Sequence, residues 1–568
     1  MMVGMLAAMP ATPANRPDRD ESPVRDRGDA CPGALRLHTA DDGALARVRV
    51  PAGLLSARQA HALADAADRL GDGALDITSR GNLQLRGLDA ARARELADLL
   101  DAADLLPAPA HERVRNVVAS PLSGLDGHGH LDVQPLVREL DALLCTGARA
   151  AALSGRFLFA LDDGRGDMAE LNPDVMLIAE PPARTAGGAG APAATTTATA
   201  TVTAPGTATV TAGTAADGEG AAGAGVPVAG PPGAAAGIAP GSSGAAWNSG
   251  LRVRVAAGDA RVLVRPEDGP RMLMLAAEAF LDAADACGTR PWRIRELPPQ
   301  YALSTPGLLR RAAAAGVAAE PVWSAEPAEP VWSAEPAQST EPAEPAEPAR
   351  PAPPAPGAHA RDGVETAVCA GVVLGRMSAA QVRSLARVAE RHGTGELRVT
   401  PWRSVVLPGV AAALLPELAA AGLVTGAGSP WHGVSACTGR PGCGKALADV
   451  RADAAALADV RADAAALAAA GAGGIPVHWS GCGRRCGHPH GGHVDLVATG
   501  EGRYTLAVVP APGALPAETP APGAAAAPDP PVRHDPAVRH DLHVPELAGA
   551  LAAARGGRPL HHRPATTK

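Results

Sequence analysis

Two stretches of this chain copy each other without a gap. LSARQAHALADAADRLGDGALDIT, Leu55 to Thr78, aligns on MSAAQVRSLARVAERHGTGELRVT, Met377 to Thr400. Ser56, Ala57, Gln59, Leu63, Ala64, Ala67, Arg69, Gly71, Gly73, Leu75 and Thr78 have identical counterparts, and the match runs on to Leu85 with Leu407 and Gly87 with Gly409. A repeat of that length constrains the chain to two halves that share one fold. Each copy is read the same way. Ser56 and Ser378 are N-cap residues with Gln59 and Gln381 three positions on, the spacing of a capping box. Leu63, Ala66, Ala67 and Leu70 then share one helical face, and Gly71 or Gly393 stops the helix. The alternation of Leu75, Ile77, Leu83 and Leu85 is strand periodicity, as in ELRVTPWRSVVLPG of the second copy, and ALARVRVPAG supplies a strand before the first helix. Helix and strands within each unit predict an α+β fold.

Composition separates the packed chain from the rest. Thr185 to Ala246 is Thr, Ala and Gly; Glu320 to Pro356 is Pro, Glu and Ala, with EPVWSAEPA in tandem; Pro510 to Pro536 is again biased. Aromatic residues make only 2% of the chain, so these segments are expected to be disordered inserts and linkers. The net charge of -8 shows no basic stripe, which argues against nucleic acid as a partner. Lys445 and Lys568 are the only lysines, so the positive charge is arginine, whose planar fork suits carboxylate ligands. No apolar run is long enough to span a membrane, and the opening MMVGMLAAMP lacks the features of a signal peptide. Eight sparse cysteines fit a reducing compartment, and a cytoplasmic location is expected.

Four of those cysteines form two clusters, CTGRPGC at Cys437 and Cys443 and CGRRC at Cys482 and Cys486; Cys31, Cys145, Cys287 and Cys369 are isolated. Four thiolates in two pairs suit a tetrahedral zinc or a cubane iron-sulfur cluster. The five-residue gap reaches around a wider object than a zinc knuckle does, and Thr438, Gly439, Pro441, Gly442 and Gly444 leave room for it, so the spacing favours the cubane over zinc or disulfides. A helix is expected directly after Cys443, aiming free N–H groups at the cysteine loop. Its tandem ADVRADAAAL, within residues 446–467, cannot pack both copies on one face. His478, His488, His490 and His493 read as surface residues of a Gly-rich loop rather than ligands.

With these pieces in place the chain resembles the sulfite and nitrite reductase superfamily, and within it the precorrin-3B synthase family of aerobic cobalamin biosynthesis. DITSRGNLQLRG, RNVVASPLSG, TPWRSVVLP, ACTGRPGC, HWSGCGRRCGHP, CPGALRLH and ARVRVPAG carry the resemblance. It implies a pseudo-twofold pair of ferredoxin-like half-domains beside sulfite/nitrite-reductase-type α+β subdomains, interrupted by disordered inserts. The expected layout is a disordered start (1–30), half-domain 1 (31–105), subdomain 1 (106–318, insert 185–246), a linker (319–360), half-domain 2 (361–427), cluster-binding subdomain 2 (428–510) and a largely disordered tail (511–568).

By the same resemblance Cys437, Cys443, Cys482 and Cys486 bind a 4Fe-4S cluster, while Arg80 and Arg115 hold tetrapyrrole carboxylates with Asn82 and Gln84 beside them. Arg403 lies one place from the position equivalent to Arg80. A second iron centre, mononuclear iron or sirohaem, is an open expectation. The implied activity is oxygen-dependent hydroxylation and γ-lactone formation on precorrin-3A, with O2 and an external electron donor as partners, since no dinucleotide-binding loop is present. Asp162 and Asp163, read as lying near the arginines, would repel sulfite and weigh against the rival, a sirohaem-dependent sulfite or nitrite reductase. A non-enzymatic electron-transfer or zinc-stabilised module is the third reading.

Overall fold

A computed structural model describes residues 29, 31–181, 251–322, 353–459, 475–489, 491–510 and 538–555. The inserts expected at 185–246 and in most of the 319–360 linker lie outside the described residues, as do His490 and the second ADVRADAAAL copy. The first half runs β1 (His38–Ala40), β2 (Gly43–Val48), β3 (Leu54–Ser56), helix Ala57–Leu70, β4 (Ala74–Ile77), β5 (Leu83–Leu88) and helix Ala93–Ala102. Then come β6 (Val117–Ala119), helix Gln134–Thr146, β7 (Phe159–Asp162), β8 (Val175–Glu180), β9 (Arg252–Ala257), β10 (Ala260–Val264), helices Gly269–Cys287 and Thr305–Ala314, and β11 (Ala319–Pro321). The second half repeats the order: β12 (Gly357–Arg361), β13 (Val364–Gly371), β14 (Arg376–Ser378), helix Ala379–His392, β15 (Glu396–Val399) and β16 (Ser404–Pro408). After helix Leu415–Ala420 it continues through β17 (Val434–Ala436), helix Val450–Asp459, β18 (Val477–Ser480), β19 (His493–Gly500), β20 (Arg503–Val509), β21 (Val538–His543) and helix Val544–Arg555.

Both expected capping boxes form: Ser56 Oγ accepts from Gln59 N–H, Ser378 Oγ from Gln381 N–H, and each glutamine side chain accepts from its own cap's N–H. Gly71 and Gly393 cap the two C-termini, and Leu63, Ala66, Ala67 and Leu70 face inward. The halves then exchange strands. The half-domain sheets run β1-β2-β5-β4-β14 and β12-β13-β16-β15-β3, so each borrows its edge strand from the other half. Ala57 N–H donates to Gly395 O at 2.9 Å, and its counterpart Ala379 N–H donates to Gly73 O at 2.9 Å. The two capped helices lie against each other over one continuous core that includes Leu63, Leu75, Leu85, Leu385, Leu397 and Leu407. Apolar burial on both sides of the exchange makes the half-domains one cooperative unit; Arg383 with Asp65 and Asp68 adds only exposed ion pairs.

Beside this pair stand two related sheets, β11-β10-β9-β8-β7-β6 and β17-β18-β19-β20-β21. In each, the first three strands in chain order are parallel and the later ones antiparallel. Phe157, Phe159 and Phe280 pack the first, with ring centroids 5.1 Å apart, and Trp479 meets Tyr504 edge-on at 5.0 Å in the second. Among the described residues no helix is long and apolar enough to cross a membrane.

Within the tail expected to be largely disordered, residues 538–555 are described: β21 pairs with β20, and the following helix buries Leu547, Ala550, Leu551 and Ala554 in the second-half core. Half of that stripe is alanine, which composition alone reads as bias. The helix after the first cysteine pair starts at Val450, not directly after Cys443. Leu447 N–H is drawn instead to Gly481 O at 2.7 Å, and Ala448 O accepts from Arg440 N–H at 3.0 Å.

Gly53, which precedes the exchanged β3, has φ +71°, and an added Cβ there would lie 1.8 Å from Val399 O of the other half. Gly53→Ala meets both a left-handed backbone and a backbone collision. Thermal or urea unfolding of the variant should show a loss of about 2–3 kcal/mol.

Candidate functional site

The parallel register of β17 on β18 decides where the cysteines go. Val434 to Ala436 pairs with Val477 to Trp479, so both chains leave the sheet at the same end. Cys437 N–H continues the ladder to Trp479 O at 2.9 Å, and Gly481 N–H donates to Cys437 Sγ at 3.1 Å. Cys482 follows at once, and Arg485 N–H turns back to Cys482 O at 3.2 Å, which brings Cys486 round. Loops leaving the carboxyl ends of neighbouring parallel strands form the usual ligand crevice of such sheets. Gly481 is where the two loops touch: an added Cβ would come within 2.7 Å of Ala446 Cβ.

All four cysteines are unpaired thiols; Cys486 is exposed and the others half-buried. Burial pushes the Cys437 thiol up, Gly481 and Gly439 N–H groups oppose this, and Cys443 and Cys482 add to it. Cys486 is pushed up by burial and then by Cys437, Cys482 and Cys443, with Arg484 opposing. Cys437 and Cys486 are thus each raised in part by the neighbouring sulfurs of both loops. Among the described residues no three His, Cys, Asp or Glu side chains close on a point as a single-ion site requires. A soft four-sulfur set spread over two loops fits a cluster wider than one ion.

Half-domain 1 holds the first cysteine loop in place. Arg86 grips Asp42 with two hydrogen bonds of 2.8 Å and donates to Gly442 O at 2.6 Å, while Asp41 accepts from Gly444 N–H. The second loop is held from below by His478, fully buried in β18. Its Nδ1 lies 2.8 Å from Ser435 Oγ and its Nε2 3.1 Å from Cys486 O. Burial, and then the charge of Arg403, holds this imidazole well below its usual range, so it is neutral. His478 is thus no surface residue. Nor is His493, which opens β19 and is buried, because the loop between them is short and both ends are strand. His488 is exposed, as expected.

The arginines divide. Arg80, in the turn between β4 and β5, has no side-chain hydrogen bond or ion pair among the described residues. Burial, then Arg293 and Arg49, push it down to about 10, and it stays charged at neutral pH. Arg49, just after β2, is one of the cations that act on Arg80, and Arg47, within β2, shares its face of the strand. Arg49 donates to Cys31 Sγ at 3.2 Å and Gly155 O at 3.3 Å; Arg47 donates to Gln84 Oε1 at 3.3 Å. Sequence reasoning missed these two, although ARVRV alternates them onto one side. Asn82 accepts from Val50 N–H and donates to Asn116 Oδ1, both at 3.1 Å, and so braces the turn. Arg115 is occupied elsewhere: Asp141 takes both prongs at 2.7 Å, with Leu105 O at 3.3 Å. Arg403 lies not with Arg80 but beneath the second cysteine loop, donating to Gly487 O at 2.5 Å.

The first half contains the same cradle in oxygen chemistry. Ser120 N–H donates to Leu161 O at 3.1 Å and Asp163 N–H to Ser120 Oγ at 3.2 Å, the bonds that Cys437 and Gly481 make in the second half. Asp163 and Asp126 grip Arg165 there, and Asp162 accepts from the N–H groups of Gly164, Gly166 and Met168. These carboxylates are satisfied within their own loop, so the expected repulsion of sulfite by Asp162 and Asp163 loses its force. Burial, with Asp162 and Asp163 adding to it and Ser120 and Arg165 opposing, pushes the Asp167 carboxyl up to about 7.

A carboxyl raised above its unfolded value contributes stability that is full at low pH and is lost as pH rises through the folded value. Asp167→Asn removes that loss. Thermal melts should show the variant gaining on wild type as pH rises from about 4 to about 8, with no trend if Asp167 is ordinary.

Relatives point the same way as the fold. The nitrite/sulfite reductase ferredoxin-like half domain matches twice, over residues 38–103 and 359–422. A ferredoxin-nitrite reductase of Synechococcus elongatus is 26% identical over 464 residues, 80% of this chain and 76% of that protein. A precorrin-3B synthase of a Sinorhizobium species is 35% identical over 138 residues, 24% of this chain and 29% of that protein. The chloroplastic ferredoxin-nitrite reductase of Zea mays is 34% identical over 122 residues, 20% of this chain and 21% of that protein. Among solved structures, the NirA protein of Mycobacterium tuberculosis shares the fold, with a TM-score of 0.57, 16% identity, and coverage of 92% of this chain and 82% of that one. The chain thus carries, strand-exchanged at its centre, two copies of the nitrite/sulfite reductase ferredoxin-like half domain.

Proposed function

We propose that this chain is an iron-sulfur oxidoreductase of the precorrin-3B synthase type, converting precorrin-3A to its hydroxylated γ-lactone with O2. One observation carries the choice: the cationic site of the first half is built from arginine alone, and Arg80 within it has no partner among the described residues. A tetrapyrrole with many carboxylates needs such forks. The only lysine among the described residues is Lys445, exposed in the first cysteine loop. The 35% match to a precorrin-3B synthase supports this reading.

Cys437, Cys443, Cys482 and Cys486 would hold a 4Fe-4S cluster, which when bound supplies electrons singly to oxygen chemistry that dioxygen alone performs poorly. Arg80 binds a substrate carboxylate, with Arg47 and Arg49 setting the positive field around it. Asn82 and Asn116 fix the turn that carries Arg80, so the guanidinium is aimed before substrate arrives. Arg86 and His478 keep the two cysteine loops at one separation. Electrons come from a separate donor, and a second iron centre, mononuclear iron or sirohaem, belongs to the same reading.

The long match to a ferredoxin-nitrite reductase favours a second reading, a sirohaem-dependent reductase of nitrite. Anaerobic purification with iron, sulfide and pigment analysis, followed by precorrin-3A, O2 and a one-electron donor, separates the two. The synthase reading predicts a new hydroxylated lactone. It also predicts that Arg80→Ala raises KM roughly ten- to hundred-fold, the value of one or two charged hydrogen bonds. Arg115→Ala should chiefly lower stability. Strong macrocycle absorption with nitrite turnover and no lactone overturns the synthase in favour of the reductase.

A further inference from the structure

Arg403 occupies a backbone position that its own repeat fills with glycine. The turn Thr78 to Asn82 corresponds to Thr400 to Ser404, so Arg403 stands where the first half has Gly81. Gly81 has φ +69° and Arg403 has φ +60°, a left-handed conformation that costs a side-chain-bearing residue. The turn is secured on both sides, Arg403 N–H donating to Thr400 O at 3.1 Å and Arg403 O accepting from Val372 N–H at 2.9 Å. A strained arginine at a glycine position is explained by what its side chain reaches.

That side chain crosses Gly375, where an added Cβ would lie 2.5 Å from Arg403 Cδ, and ends on Gly487 O. Gly487 directly follows Cys486, whose own carbonyl is held by His478. The last cysteine is therefore fixed from two directions. Burial, then the charge of Arg451, pushes the Arg403 guanidinium down to about 10, with Asp76 opposing, and it remains protonated at neutral pH. Asp76 is itself engaged by Arg376 at 3.2 Å and Arg451 at 3.0 Å. Among the described residues no carboxylate forms an ion pair with Arg403, and its guanidinium ends on the cysteine loop.

We infer that Arg403 is a positioning residue for the Cys482–Gly487 loop, and that its charge raises the reduction potential of the cluster the four cysteines would hold. The inference rests on the proposed function only in that a cluster is bound. Reduction adds one electron from a one-electron donor to an already anionic thiolate-bound core, with no bond made or broken. A nearby fixed cation in a poorly solvated place stabilises the extra negative charge.

The test uses the full chain with its cluster, purified anaerobically and titrated with dithionite while the electron paramagnetic resonance signal is followed. Arg403→Gln should lower the reduced-to-oxidised ratio about tenfold at a given potential, a shift of about 59 mV to the negative for one electron. Gly375→Ala, which displaces the arginine, should shift it in the same direction. Arg403→Lys keeps the charge and should stay close to wild type. Full iron and sulfide with unchanged potentials in both Arg403→Gln and Gly375→Ala overturns this inference alone, as does a lysine variant shifted as far as the glutamine one. If Arg403→Gln loads no cluster, the glycine and lysine variants decide on the same criteria. Wild type lacking iron and sulfide overturns both this inference and the proposed function.

Discussion

The parallel pairing of β17 with β18 is the constraint on which the site depends. Two cysteine clusters separated by some forty residues of chain meet only because both strands run the same way and end together, with Cys437 N–H extending the ladder to Trp479 O. In an antiparallel arrangement the two loops would leave opposite ends of the sheet. The rest of the molecule acts on that arrangement. Trp479 and Tyr504 pack the sheet beneath it, Arg86 of half-domain 1 pins one loop, and His478 and Arg403 pin the other.

Duplication gives the chain two matching cradles, of which only the second carries cysteines. Ser120 and Asp163 make the same two hydrogen bonds as Cys437 and Gly481, so the backbone cradle exists twice. In the first half it is filled by a closed network in which Arg165 is shared by Asp163 and Asp126 and Asp162 caps its own loop. Hard, charged, mutually satisfied groups leave no soft ligands for iron. The first half instead gathers Arg49 and Arg293 around Arg80. The repeated unit thus carries the paired cysteines in one copy and a group of arginines in the other, held together by exchanged edge strands.

What was legible in the sequence followed from local chemistry. The capping boxes, the glycine stops and the inward face of each repeat helix are set by residues within a turn of one another, and the cysteine spacing is explicit. Non-local features were not legible. The exchanged strands β3 and β14 are three residues each, too short to show a period, and their partners lie in the other half. His478 looked like part of a histidine-rich loop because nothing in HWSGCG marks it as the end of a buried strand. Arg115 and Arg403 carried the right side chain, but their destinations were set by Asp141 and Gly487, which lie 26 and 84 positions away.

The central claim is that the two parallel strands of the second half bring four thiols around one iron-sulfur core, while the matching cradle of the first half holds none. Crystals grown from anaerobically purified protein, with diffraction recorded on both sides of the iron absorption edge, test it directly. The account predicts one compact iron peak bounded by Cys437, Cys443, Cys482 and Cys486 and no such peak between Ser120 and Asp163. A peak that follows the zinc edge instead, or iron at the first-half cradle, would contradict it.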